Sequence, residues 1–275
     1  LHEYLSIIKK QVKALEQNRR KFYSQSLKKS GNSSEMIFGI RAIIETINAG
    51  KTIDKLLIQK ELGNSELLKE LLTLAREREV PVQKVPVEKL NRITTKNHQG
   101  AICFISAVDY ALLSNILAET FEKGKTPLIL ILDRITDVRN FGAIARTAEC
   151  SGVDAIVIPT KGAAQINADA VKTSAGALNF LPVCREEDLK KTIAYLQESG
   201  LQVVACTEKT DEWMYKADFT VPTAILLGSE EDGISPELLR KADQLAKIPL
   251  FGNIESLNVS VSAAVILYEA VRQRK

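Results

Sequence analysis

Three sets of polar residues, each beside glycines or other small residues, carry the candidate chemistry of this chain. Asn140 and Arg146 stand at i and i+6 in D-R-I-T-D-V-R-N-F-G-A-I-A-R, with Gly142, Ala143 and Ala145 between them. Six residues is not a helical neighbour spacing, so the two side chains leave different faces and serve different partners. An Arg is practically never deprotonated, so Arg146 is an awkward general base. It is equally placed for a surface salt bridge with Glu149 at i+3. Gly228, Ser229, Glu230 and Gly233 follow the apolar run A-I-L-L. Glycines after a buried strand let a ligand approach the backbone, and a carboxylate there can order a loop or bind a ligand hydroxyl. Glu231 and Asp232 look like a solvated acidic loop. Ser256 and Asn258 open an apolar, small-residue segment, where capping groups and free N–H donors can hold a polar ligand. The same segment, taken alone, also reads as a core helix.

These residues need a frame, and the spacing of apolar runs predicts one. Strands near 128–132, 154–158, 179–183, 201–206, 223–227 and 245–248 are continuously apolar with helices between, the pattern of a parallel sheet buried on both faces. Thr207 follows one of these strands at the edge where open α/β sheets take ligands. No G-x-G-x-x-G follows the first strand, so a dinucleotide-binding Rossmann domain is disfavoured. Upstream, a smaller α/β unit is expected: helix 39–49, strand 54–59, helix 64–79, strand 82–85, a short helix near 86–91 and strand 101–105. Residues 107–127 lack strand character and end in G-K-T-P, which marks a linker. Leu5, Ile8, Val12 and Leu15 recur at helical spacing, predicting a helix over 3–22 before the break at Ser30–Ser34. The resulting division is 1–35 arm, 36–106 first domain, 107–127 linker and 128–275 second domain.

Composition narrows the functions. A chain of 275 residues with 45% hydrophobic content holds two cores. No apolar run is long enough to span a bilayer, and nothing resembles a secretory signal. The chain opens on Leu1 rather than Met, the pattern of a sequence missing its native start. Cys103, Cys150, Cys184 and Cys206 are scattered in or beside apolar runs without a C-x-x-C pair, which predicts reduced, buried thiols in a cytoplasmic protein. With His2 and His98 alone, a histidine metal cluster is disfavoured. The net charge of +3 hides an asymmetry: residues 1–30 hold eight Lys and Arg against two Glu, a net of +6, and the remainder carries −3. A basic arm on a nearly neutral body is a footprint of nucleic-acid binding; an amphipathic helix with a solvated charged face is the alternative.

Together the motifs resemble a known family. Leu128–Pro159 (L-I-L-I-L-D-R-I-T-D-V-R-N-F-G-A-I-A-R-T-A-E-C-S-G-V-D-A-I-V-I-P), Ala224–Glu237 (A-I-L-L-G-S-E-E-D-G-I-S-P-E) and Ile248–Gln273 (I-P-L-F-G-N-I-E-S-L-N-V-S-V-S-A-A-V-I-L-Y-E-A-V-R-Q) look like the three motifs of the SpoU or TrmH RNA ribose 2′-O-methyltransferases, of the SPOUT superfamily. This resemblance covers roughly Leu128 to Arg274. A second, over Ile37–Ser106 through F-G-I-R-A-I-I-E-T-I and K-N-H-Q-G, looks like the N-terminal RNA-binding domain of the branch that methylates a guanosine of 23S ribosomal RNA. The resemblance implies an α/β fold in which a SPOUT parallel-sheet domain with a C-terminal trefoil knot follows a small α/β RNA-binding domain and the basic arm. It implies S-adenosyl-L-methionine as cofactor, RNA as substrate and a homodimer through the C-terminal domain; a sulfonium methyl donor requires no metal, and the lack of a long apolar run predicts no membrane partner. Arg146, Asn140, Glu230, Ser256 and Asn258 would form the catalytic set. Gly228, Ile248 and Leu257 would hold the cofactor, with Thr207 a further candidate from its position.

For Arg146, orienting the 2′-hydroxyl and a substrate phosphate suits its chemistry better than a general-base role. His98 is a candidate RNA contact near Arg92 and Lys96, or a structural histidine. Alternatives to a 23S rRNA enzyme are a tRNA ribose methylase, an antibiotic-resistance rRNA methylase, a catalytically silent RNA-binding assembly factor and a small-molecule α/β enzyme using a nucleotide cofactor. Retention of all five polar motif residues disfavours the silent factor.

Overall fold

The structure, a computed structural model, describes residues 36–275. The basic arm over 1–35, with its helix over 3–22, lies outside the described residues. The first elements follow from local sequence. Helix α1 (Ile40–Asn48) buries Ile40, Ile43, Ile44 and Ile47, the i, i+3, i+4, i+7 stripe of an amphipathic helix. Helix α2 (Glu66–Glu77) starts where Ser65 accepts a bond from the Leu68 N–H, satisfying one of the orphan donors of the first turn. Strands β1 (Met36–Phe38), β2 (Ile53–Gln59), β3 (Val82–Val85) and β4 (Ala101–Ile105) form a four-stranded mixed sheet in the order β1-β4-β2-β3, with the short helix α3 (Val87–Ile93) following β3.

Residues 107–127 correct the expectation of a linker without strand character. They hold β5 (Tyr110–Ala111) and helix α4 (Leu113–Glu122), and β5 joins the large sheet beside β8 (Val183–Glu186). Two residues are too few to show an alternating pattern, so β5 has no signature of its own.

The remaining elements are β6 (Leu128–Leu132), α5 (Val138–Cys150), β7 (Ala155–Pro159), α6 (Ala168–Thr173), α7 (Leu189–Glu198), β9 (Gln202–Cys206), β10 (Thr223–Leu227), α8 (Pro236–Leu239), β11 (Gln244–Ala246) and α9 (Val259–Arg274). The sheet runs β11-β9-β10-β6-β7-β8-β5 with every neighbour parallel. Successive residues of β6 enter opposite cores: Leu128, Leu130 and Leu132 pack with α5 and α9, while Ile129 and Ile131 pack with α4 and α7. That two-sided burial explains the uninterrupted apolar run.

The strand expected at 179–183 lies later in the chain. Ala177–Asn179 is a 3-10 turn entered from Gly176 at φ +86°, and β8 starts only after Pro182. Leu178 and Leu181 are buried, but as plugs under the sheet, and Pro182 has no N–H for a ladder. The last helix also starts later than the small-residue run suggested. Asn258 caps α9, leaving Ser256 and Leu257 in the exposed segment before it. At its other end, Arg274 donates to the carbonyls of Phe219 (2.7 Å), Thr126 (2.8 Å), Val221 (2.9 Å) and Pro127 (3.0 Å). One guanidinium thereby fastens the end of α9 to the approaches of β6 and β10.

Candidate active site

The order of the large sheet reverses between β6 and β10: β7 and β8 lie on one side, β9 and β11 on the other. In open parallel sheets, ligands bind beyond the carboxyl ends of the strands at such a switch point. Here β6 runs out into Asp133–Arg134 and β10 into Gly228–Ser229. A cleft of about 420 Å³ opens at this place, lined among others by Arg134, Asn140, Ser229, Glu230, Asp232 and Val259.

Three residues far apart in sequence meet there. Asp137 caps α5 by accepting from the N–H groups of Arg139 (2.7 Å) and Asn140 (2.9 Å), which fixes Asn140 in the first turn. The Asn258 side-chain amide donates to Asn140 Oδ1 at 3.1 Å and to Glu230 Oε1 at 2.5 Å. Its Oδ1 accepts from the Ser260 N–H at 2.9 Å and the Ser260 hydroxyl at 2.6 Å. Glu230 also accepts from the Val259 N–H at 3.4 Å, so a carboxylate sits at the positive end of α9. Asn140, Glu230 and Asn258 of the expected catalytic set are thus one hydrogen-bonded cluster joining three motifs.

The other two stand apart. Arg146 is exposed on α5, lies outside the cleft lining and makes no ion pair with Glu149 or any other described residue. Ser256 is exposed, with no side-chain hydrogen bond to the described residues. Of the expected cofactor residues, Thr207, Gly228 and Ile248 come at the carboxyl ends of adjacent strands β9, β10 and β11. Thr207 is buried; its N–H bonds the Ala246 carbonyl and its Oγ accepts from the Lys209 N–H, leaving the hydroxyl proton to donate elsewhere. Leu257 is partly exposed, and beside it Phe251 and Ile254 are 88% and 77% exposed. Apolar side chains displayed beside polar strand ends suit the flat faces of a purine together with its ribose. Gly228 has a second reason to be glycine. A Cβ there would lie 2.1 Å from the Gly233 carbonyl carbon and 2.2 Å from the Ile234 nitrogen, so its own loop requires the missing side chain.

Sequence reasoning passed over Arg134. At φ +57°, its guanidinium donates to Asp232 Oδ2 (3.0 Å) and the Gly233 carbonyl (3.0 Å), and it pairs with Asp133 at 3.3 Å. Asp133, 4% exposed, also accepts from the Ser235 N–H at 2.8 Å and from the Ser235 hydroxyl. The Asp-Arg pair directly after a buried strand was the available signal, for it staples the loop that presents Glu230. Asp232, expected to be merely solvated, is one end of that staple.

His98 takes the structural role of the two left open by the sequence. It is buried; its Nδ1 accepts from the Gly100 N–H at 3.0 Å, so its Nε2 carries the proton and donates to Asn91 Oδ1 at 2.9 Å. Both ring nitrogens are committed to folding the loop before β4. Cys150, expected to be buried, is exposed at the end of α5. Burial pushes the thiols of Cys103, Cys184 and Cys206 up to about 12.

Comparison with known proteins agrees with this geometry. Residues 127–268 match the model of the SpoU rRNA Methylase family, and residues 36–111 match that of the RNA 2′-O ribose methyltransferase substrate-binding domain. A Bacillus subtilis protein named for the TrmH family of tRNA/rRNA methyltransferases is 33% identical over 240 residues, 87% of this chain and 96% of its own. A Staphylococcus aureus protein of the same naming is 36% identical over 241 residues, with the same coverage of each. Among solved structures, the SpoU methyltransferase AviRb of Streptomyces viridochromogenes in complex with AdoMet superposes with a TM-score of 0.55 at 26% identity, covering 87% of this chain and 90% of that one. The AdoMet-bound rRNA methyltransferase of Sinorhizobium meliloti gives 0.55 at 25% identity, covering 86% of each. With the switch-point cleft, the three joined motifs and both family models in agreement, this chain belongs to the SpoU/TrmH family of RNA methyltransferases.

Proposed function

We propose that this chain transfers the methyl group of S-adenosyl-L-methionine to a ribose 2′-hydroxyl of RNA, the acceptor being a guanosine of 23S rRNA. The observation that carries this reading is the Asn140–Asn258–Glu230 cluster, which unites residues from three motifs at the carboxyl edge of the sheet. Thr207, Gly228, Ile248 and Leu257 would hold the cofactor, which supplies an electrophilic methyl on a sulfonium and so needs a positioned acceptor. Glu230 and Asn140 fix Asn258, and through it the entry to α9. Arg146, without an ion pair among the described residues, orients the hydroxyl and an adjoining phosphate, which assists loss of the hydroxyl proton. Residues 36–106 form the RNA-binding domain and 128–275 the methyl-transfer domain, with the deep C-terminal knot of the superfamily.

The working form is a cytoplasmic homodimer. Supporting this, Phe251, Ile254, Leu257, Val261 and Tyr268 expose apolar side chains along α9 and the segment before it, the kind of surface that a partner covers. Among the described residues no helix is long and apolar enough to cross a membrane.

Incubating the full chain with labelled cofactor and transcripts of 23S rRNA or tRNA tests the proposal. Label is expected in the 23S transcript, at one guanosine whose 3′ linkage resists alkaline cleavage. Labelled tRNA alone would move the substrate to the tRNA reading. Cofactor binding in calorimetry with no RNA labelled would favour the silent assembly factor. A methyl group on a base would overturn the ribose assignment.

A further inference from the structure

A second cavity, of about 470 Å³, lies between the two sheets. One wall is the edge of the small sheet, with Asp54, Lys55 and Lys84; the other is the loop after β7, with Lys161, together with Tyr110 and Arg185. Neither reading above gives this cavity a task.

Its walls are braced against each other. Arg185 of β8 donates across to the carbonyls of Ile53 (3.2 Å), Glu79 (3.3 Å) and Asp54 (3.4 Å), and lies 4.2 Å from the centre of the Tyr110 ring. The Tyr110 hydroxyl donates to Asp54 Oδ1 at 2.7 Å. The cavity is therefore preformed, with a fixed floor.

The charge of its lining is lopsided: Lys55, Lys84, Lys161 and Arg185 face a single carboxylate, Asp54. The side chains of Lys84 and Lys161 are exposed and form no salt bridge or hydrogen bond with the described residues. Cations left unpaired along a groove are what a phosphate backbone neutralises, with release of its counterions. The cavity adjoins the methyl-transfer cleft, with Gly162 in the wall of both. The loop carrying it is anchored, its Ala164 N–H donating to the Ile135 carbonyl at 2.7 Å.

We propose that this interlobe groove takes the single-stranded RNA adjoining the acceptor nucleotide, whose phosphates meet Lys84 and Lys161, so that one strand passes over the Gly162 loop into the transfer cleft. The proposal rests on the RNA-methyltransferase reading and adds the route of the substrate. RNA fits better than a free nucleotide because the cations line two facing walls, with the transfer cleft on the other side of the Gly162 loop, rather than converging on one point.

The test uses the full chain, with Lys84→Glu/Lys161→Glu beside a charge-matched control, Lys123→Glu/Lys241→Glu, outside both clefts. Binding of a 23S rRNA transcript is measured against salt concentration, and methyl transfer to it is measured separately. The groove pair is expected to raise KM about tenfold and leave kcat and cofactor affinity within about twofold. Its log-log salt slope should fall by about 1.4, at 0.7 per lost single-strand phosphate contact. If the pair does not fold, Lys84→Gln/Lys161→Gln carries the same expectation with a smaller rise in KM. A KM and salt slope matching the wild type or the control pair would overturn the groove assignment. So would unchanged RNA binding together with GMP bound in the groove. Groove-dependent RNA binding without methyl transfer would leave the groove standing and remove the enzymatic reading, so the two failures are distinct.

Discussion

Arg146 is the residue whose surroundings say least about folding and most about chemistry. It is exposed, without an ion pair among the described residues, on a helix whose opposite face (Phe141, Ile144, Ala145 and Ala148) is buried in the core. Replacing it should cost less than about 0.5 kcal/mol of stability, the usual figure for a surface position without special contacts. Arg146→Ala should nevertheless slow single-turnover transfer about a hundredfold or more, roughly 3 kcal/mol of lost transition-state stabilisation, with cofactor affinity unchanged. Arg146→Lys should rescue poorly, since an ammonium lacks the planar fork. Near-normal turnover by the alanine variant would remove Arg146 from the catalytic set. The thiols give a second check at this scale. Iodoacetamide at neutral pH should modify Cys150 alone in the native chain, because Cys103, Cys184 and Cys206 stay protonated at a pKa of about 12. A second thiol reacting at a similar rate would contradict the burial described.

Among the elements, the loop after β10 and the last helix bear the tightest constraints. Gly228→Ala places a methyl 2.1 Å from backbone that Arg134 holds in place, so nothing flexible can yield. A stability loss of about 3 kcal/mol is expected, at the upper end for overpacking, with loss of cofactor binding; thermal unfolding and calorimetry check the two together. A variant with native stability would mean that the loop has room to move. Arg274 is half-buried and satisfies four carbonyl oxygens. Arg274→Ala should cost about 2–3 kcal/mol in urea unfolding, since buried acceptors lose their donors. Arg274→Lys should recover only part, an ammonium having three donors on one atom. A loss below about 0.5 kcal/mol would show that water replaces the guanidinium at no cost.

For the molecule as a whole, the exposed apolar row from Phe251 to Tyr268 bears on assembly. Sedimentation of the full chain at micromolar concentration should give a dimer. Val261→Glu on exposed α9 should shift it towards monomer with the fold intact, because an ionised side chain in an apolar interface must be desolvated. A wild-type monomer at that concentration would count against the homodimer.

What the sequence determined by itself is local or repetitive. The runs L-I-L-I-L and T-A-I-L-L had to be two-face-buried strands, since neither face of such a strand tolerates water. Gly228, Glu230 and Asn258 could be singled out because their types are unusual beside such runs. Tertiary structure alone decided what required distant residues to meet. Asn140 and Asn258 touch across 118 positions, Arg134 and Gly233 across 99, and no local propensity encodes either contact. The same limit misplaced β8, where Leu178 and Leu181 are apolar because they plug the core rather than extend a strand. It also left His98 open, because only the chain's return toward Asn91 uses both of its nitrogens. Periodicity reports which side of an element avoids water; it does not report which element arrives to exclude it.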